Sequence, residues 1–250
     1  MVQAPQRTAV SGPTLVRLLA RLTAADVPAA SQSLSDQLSQ WLGWTDAIAL
    51  STALSGTPPA AVAGGARGAR GAGALEQESA GLRAALADAI AGDSVLSTRR
   101  RRGAAHAQTA PAQTEASYAD FRQSYLALQQ SMETRIGALR GRLRSLLAAK
   151  TPEMTRLAVV DAIMERSLGA RERSLFGSVP GLLGGHFERL RKASQAADAP
   201  ANGAAPADSA AASPGAWLDA FRKDMQSVLL AELDIRFQPV EGLLAALRIS

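Results

Sequence analysis

Between positions 115 and 149, about 35 residues run without a proline while large apolar side chains return every three or four positions. Tyr118, Phe121, Tyr125, Leu128, Met132, Ile136, Leu139, Leu143 and Leu146 form one stripe, and that period predicts a long amphipathic helix. At 1.5 Å per residue the stripe is about 50 Å long, and only another helix, from this chain or from a partner, buries something so narrow over that length. Consecutive four-residue steps at Leu128, Met132 and Ile136 shift the frame and put Arg135 where a strict heptad repeat wants an apolar residue, the mark of a stutter. A short antiparallel pair tolerates such a shift better than an extended parallel rod. Both a bundle helix of ordinary period and an intermolecular coiled coil fit the pattern.

The flanking sequence predicts further helices and no strands. Ser11, Gly12 and Pro13 precede a short apolar helix that closes near Ala25. From Ser33 a second helix carries Leu34, Leu38, Trp41 and Ile48 on one face, broadened by Leu42, Trp44, Leu50 and Leu54, and ends before Gly56. A weaker helix spans 75 to 90. After the long helix, Thr151, Pro152 and Glu153 supply a cap, a first-turn proline and an acid, so the chain turns back into a return helix with Leu157, Val160, Ile163, Met164, Leu168, Leu175 and Phe176 on its apolar face. Pro180 is expected to open a separate, shorter helix over 179 to 191. The last segment places Trp217, Phe221, Met225, Val228 and Leu229 on one face and is expected to break near Pro239.

Between these elements lie stretches that can bury nothing. Residues 56 to 73 hold six Gly, six Ala and two Pro, and residues 193 to 216 hold twelve Ala and three Pro without a large apolar side chain. The resulting organisation is an N-terminal helical hairpin (1–55), a flexible linker (56–73), a short helix (74–92), a basic linker (93–113), a central long hairpin (114–192), a disordered tether (193–216) and C-terminal helices (217–250). The fold class is all-α: a long, coiled-coil-like antiparallel hairpin with shorter flanking helices and Ala/Gly/Pro-rich linkers.

The net charge is +5, but Arg99, Arg100, Arg101 and Arg102 carry four of those charges, so the basic character is local. Such a tract can contact phosphates, yet without neighbouring aromatics it offers no base stacking, and binding would be sequence-blind. Arg140, Arg142 and Arg144, with Arg135, form a second basic group with no acid among them; a solvated face or a patch for an acidic partner both fit it. Arginine outnumbers lysine 24 to 3, a bias that in a chain rich in Ala and Gly points to base composition before anion binding.

No catalytic constellation emerges. The chain has no cysteine, which excludes disulfides, thiolate zinc sites and thiol nucleophiles and suits a reducing cytoplasm. Its two histidines, His106 and His186, are 80 residues apart with no metal-ligand spacing, and no glycine-rich loop matches a phosphate cradle. No cofactor or metal is therefore expected. No run of about 18 uncharged apolar residues is present, so no transmembrane segment is expected, and the N-terminus lacks a signal-peptide pattern. The candidate partner-binding residues are Trp41 and Trp44, and Trp217 and Phe221, since exposed aromatics anchor interfaces as readily as they fill cores.

The strings SGPTLVRLLARL (11–22), LSQWLGWTDAIALSTAL (38–54), MERSLGARERSLFGSVPGLL (164–183) and LLAELDIRFQPVEGLLAALR (229–248) resemble an uncharacterised proteobacterial family known only as a domain of unknown function. The resemblance covers the chain outside the linkers and rests on helix-packing patterns. It implies no activity and no site residue; the grouping of related genes with predicted membrane proteins and an outer-membrane-protein-A-like protein implies a cell-envelope partner. The expectation from sequence is a non-enzymatic, cytoplasmic scaffold or adaptor, peripheral to the inner membrane where its partner lies there, and able to self-associate. The alternative is arginine-mediated peripheral binding to nucleic acid or an anionic membrane.

Overall fold

The computed structural model describes residues 12–24, 33–56, 65–97, 117–198 and 215–249, without the side chains of Leu34 and of residues 65–72. Among the described residues there are seven helices and no strand: α1 (Thr14–Thr23), α2 (Leu34–Trp41), α3 (Trp44–Ser55), α4 (Gly65–Gly92), α5 (Tyr118–Ala148), α6 (Pro152–Asp198) and α7 (Ala216–Ile249). The all-α expectation holds. The Arg99 to Arg102 tract and most of the two linkers and the tether lie outside the described residues. The chain divides into two compact units, one of Met1–Ala29, Ile90–Tyr125 and Pro180–Ala231, the other of Ala30–Ala89, Leu126–Val179 and Glu232–Ser250.

The first unit is organised by rings. Phe187 meets Phe221 edge-on with centroids 5.0 Å apart, Phe121 meets Phe221 at 5.1 Å, and Trp217 closes on Phe187 at 5.2 Å, separations at which the positive ring edge faces a negative ring face. Tyr118 leans on Phe187 and donates its hydroxyl to the carbonyl of Pro180. That approach needs Gly184, because a Cβ there would sit 2.9 Å from the Tyr118 ring. The end of α4 is tied in by Asp93, whose carboxylate accepts the amides of Val95 and Leu96, while the carbonyls of those two residues receive Arg222 and Gln226 from α7.

In the second unit α5 and α6 form the expected antiparallel hairpin. Thr151 caps α6 by accepting the Met154 amide, with Pro152 in the first turn where its missing N–H costs nothing. Its own main-chain amide first, and then the Thr151 hydroxyl, hold the Glu153 carboxyl below its ordinary value. Positions rising along α5 meet positions falling along α6: Gln129 bonds the carbonyl of Phe176, Glu133 faces Arg173, Arg140 makes a two-pronged pair with Asp161 at 2.8 and 2.7 Å, and Thr155 donates to the carbonyl of Ala148. Arg144 bridges Asp161 and Glu165 at 3.0 and 2.5 Å. The segment of α7 in this unit runs antiparallel to α4, with Arg83 on Asp234 and Glu241 and Arg248 on Glu76.

The buried line along α5 runs Phe121, Tyr125, Gln129, Met132, Ile136, Leu139, Leu143 and Leu147, so it differs from the sequence stripe at three places, the first being Tyr118, which is only half-buried. Leu147 replaces Leu146, and Gln129 replaces Leu128. Arg135, the residue expected to intrude, is exposed.

Four boundaries also depart from expectation. Residues 65–73, read as linker, belong to α4. The region from Ser33 to Ser55 is two helices, parted at Leu42 and Gly43, both in extended backbone. α6 passes through Pro180 without ending, and α7 passes through Pro239. At Pro180 the continuation has a visible cause. Proline lacks the amide that Phe176, four residues earlier, would accept from, and the Gln129 side chain of α5 supplies the missing donor at 3.1 Å.

Candidate functional site

The surface that stands out is α3, the one named helix of ten residues or more among the described residues that has no buried residue although its composition is strongly apolar. Its helical arc of Trp44, Ala47, Ile48, Ser51, Leu54 and Ser55 is exposed throughout, while the opposite arc of Asp46, Ala49, Leu50 and Ala53 is half-buried. Trp44 is 80% exposed, Leu54 57% and Ile48 50%. The helix therefore shows Asp46, Ala49, Leu50 and Ala53 to the body of its unit and Trp44, Ile48 and Leu54 to solvent, so most of its large apolar residues lie where burial does not favour them.

Polar contacts fix this orientation. Arg166 of α6 donates to Asp46 at 3.0 Å, and Arg156 of α6 donates to the carbonyl of Gly56 just past the end of α3, also bonded by its own amide to Thr52. At the α2 end, the Arg171 guanidinium lies over the Trp41 ring, 4.4 Å from its centroid, a cation–π contact. Ser33 caps α2 by accepting the Asp36 amide at 3.1 Å. Three arginines of α6 thus hold the α2–α3 pair at three points. Rolling α3 to hide Trp44 would break the Asp46–Arg166 contact and carry that carboxylate to the solvent side.

Trp41 and Trp44, three apart and expected on one face, are separated by the break at Leu42 and Gly43: the first lies under Arg171, the second projects into solvent. Trp217 and Phe221 belong to the ring cluster of the first unit, Phe221 fully buried and Trp217 partly so. Arg140 and Arg144 are matched by Asp161 and Glu165, and Arg142 by Glu78, so each of the three guanidiniums expected to form a basic patch faces a carboxylate. Ile48 and Leu54, read from sequence as part of the apolar face of a helix running from Ser33, are the residues of this surface that were not among the candidate partner-binding residues. The signal for them was the run of small residues on the opposite arc, Ala49 and Ala53, together with Asp46.

His186 lies in the first unit with its Nε2 2.9 Å from Asp224, which Arg21 also approaches at 3.9 Å, and its ring is 6.0 Å from Phe221. Among the described residues no group of three or more His, Cys, Asp and Glu is placed to hold a metal ion. No helix of the described residues is long and apolar enough to cross a membrane.

A family model described as a protein of unknown function, DUF3348, matches residues 1–249. The chain belongs to that family. No curated protein and no solved structure matches it.

Proposed function

We propose that this member of the family is a non-enzymatic helical adaptor whose working surface is the outward arc of α3. The supporting observation is that Trp44, Ile48 and Leu54 stand exposed on a helix pinned in that orientation by Arg166 and Arg156. Covering a large apolar side chain contributes about 1.5–3 kcal/mol, and the pinned helix has already met its ordering cost. Tryptophan at the head of an uncharged arc is the composition of an interface hot spot. The partner is a protein presenting a complementary apolar face. The cysteine-free composition suits a cytoplasmic site, and contact with an envelope complex would be peripheral. The arginine-mediated alternative loses support from Arg140, Arg142 and Arg144, each already paired.

A photo-crosslinking amino acid placed at position 48 in the native host tests this reading. A discrete protein adduct at position 48, absent at the exposed control position 178 and lost when Trp44 and Leu54 are both made Ser, is the expected result. Equal labelling at positions 48 and 178 would remove the proposal.

A further inference from the structure

The second unit contains a cleft of about 290 Å³ at the small end of ligand-sized pockets, which run to about 300–1,000 Å³. Ile136, Ile235 and Pro239 supply its apolar surface, and Glu133, Glu165 and Glu172 face Arg140, Arg173 and Arg236 around it. Each guanidinium is already matched. Arg140 is held by Asp161, with Arg144 and Glu165 completing a neutral foursome. Arg236 is held at 2.9 Å by Glu232, a carboxylate with no exposed surface. Arg173 stands against Glu133 at 3.7 Å. Glu172 is among the lining carboxylates held least closely: half exposed, it pairs with Arg236 at 3.7 Å, beyond hydrogen-bond reach, while Glu232 holds the same guanidinium at 2.9 Å.

A second acceptor belongs to a residue of the same cleft. Residue 239 is proline, so the carbonyl of Ile235 has no amide four residues ahead to bond with. In α6 the equivalent vacancy, on Phe176, is filled by Gln129. In α7 Ile235 lines the cleft, and no side-chain donor from the described residues reaches its carbonyl.

We infer that this cleft binds a small organic monocation carrying N–H donors, a primary ammonium or a guanidinium on a short aliphatic chain. Its N–H groups would bond the Glu172 carboxylate and the Ile235 carbonyl, and its alkyl portion would lie on Ile136 and Pro239. An anion would find every lining guanidinium engaged by a carboxylate. Gly137 and Gly169 line the same cleft, and space beside Gly137 is open, so their amides report on occupancy.

The test is a titration of the full-length ¹⁵N-labelled protein with n-butylammonium and n-butylguanidinium chloride, with tetramethylammonium chloride as a cation without N–H donors. The expected result is saturable shifts of the Gly137 and Gly169 amides with one of the first two, at concentrations on the order of 10 mM or below, and none with the third. Glu172→Gln should weaken binding about ten-fold or more. Pro239→Ala, which restores the amide that occupies Ile235, should weaken it about three-fold or more with the carboxylate intact. Absence of saturable shifts, an equal response to tetramethylammonium, or an affinity unchanged in Glu172→Gln would each overturn the inference.

Discussion

The Gln129 side-chain amide donates to the main-chain carbonyl of Phe176 at 3.1 Å, the acceptor that Pro180 leaves without its helical partner. The same nitrogen lies 2.9 and 3.0 Å from the two oxygens of Glu232, which also holds Arg236, and the Arg236 guanidinium sits 4.2 Å over the Phe176 ring. One polar side chain thus serves a proline-broken helix and a buried carboxylate together. Replacing it by leucine should cost about 2–3 kcal/mol, since both acceptors lose a donor inside the core. Pro180→Ala should be more favourable in the Gln129→Leu protein than in the wild type, because the new amide then fills an empty acceptor. Urea unfolding of the four proteins gives this coupling, expected at about 0.5 kcal/mol or more.

Gly184→Ala separates close approach from helix propensity. Propensity alone favours alanine by about 1 kcal/mol. The Tyr118 ring stands 2.9 Å from where that Cβ would be, so the substitution should instead destabilise by about 1–2 kcal/mol. In a Tyr118→Ala background the same change should become stabilising. Thermal or urea unfolding reads the reversal of sign.

The two ion-pair classes predict unequal losses. Arg140 and Asp161 are mostly shielded from water and joined by two hydrogen bonds, so Arg140→Met should cost about 1–3 kcal/mol, since Asp161 loses both bonds but keeps Arg144. Arg142 and Glu78 are about half exposed, and Arg142→Met should cost about 1 kcal/mol or less, a loss that shrinks further as added salt screens the pair. Denaturation at low and high ionic strength distinguishes them.

Burial raises the Tyr118 phenol above its ordinary value of 10.0, opposed by the nearby Arg122 charge. The folded chain therefore holds this proton more tightly than the unfolded chain. Its contribution is fully present below the unfolded value and is lost as pH rises through the folded one. Stability measured from about pH 8 to about pH 11 should fall on the alkaline side, and Tyr118→Phe should flatten that fall while lowering stability at neutral pH by the loss of the bond to Pro180.

The helices themselves were legible because period, caps and acid–base order agree, as at Thr151, Pro152 and Glu153. The continuity of α6 and α7 was not. Proline is a local signal for a break, and the donor that overrides it at Pro180 comes from Gln129, 51 positions earlier in the chain. The same residue hid inside the apolar stripe because Leu128 beside it satisfied the period. At the candidate surface, apolar spacing placed Trp44, Ile48 and Leu54 on the apolar side of one helix and left open whether that side fills a core or meets a partner. Which arc of α3 faces the body is decided by Asp46 meeting Arg166, a pairing 120 residues apart that no local pattern contains.

The adaptor reading turns on whether the outward arc of α3 is covered where the protein works. Hydroxyl-radical footprinting of Trp44, Ile48 and Leu54, read by mass spectrometry, compares the purified protein with the same protein inside its host cell. The account predicts heavy oxidation of all three in the purified protein and strong protection in the cell, with Ser178 and its neighbours unchanged. Equal oxidation in the two settings would contradict it.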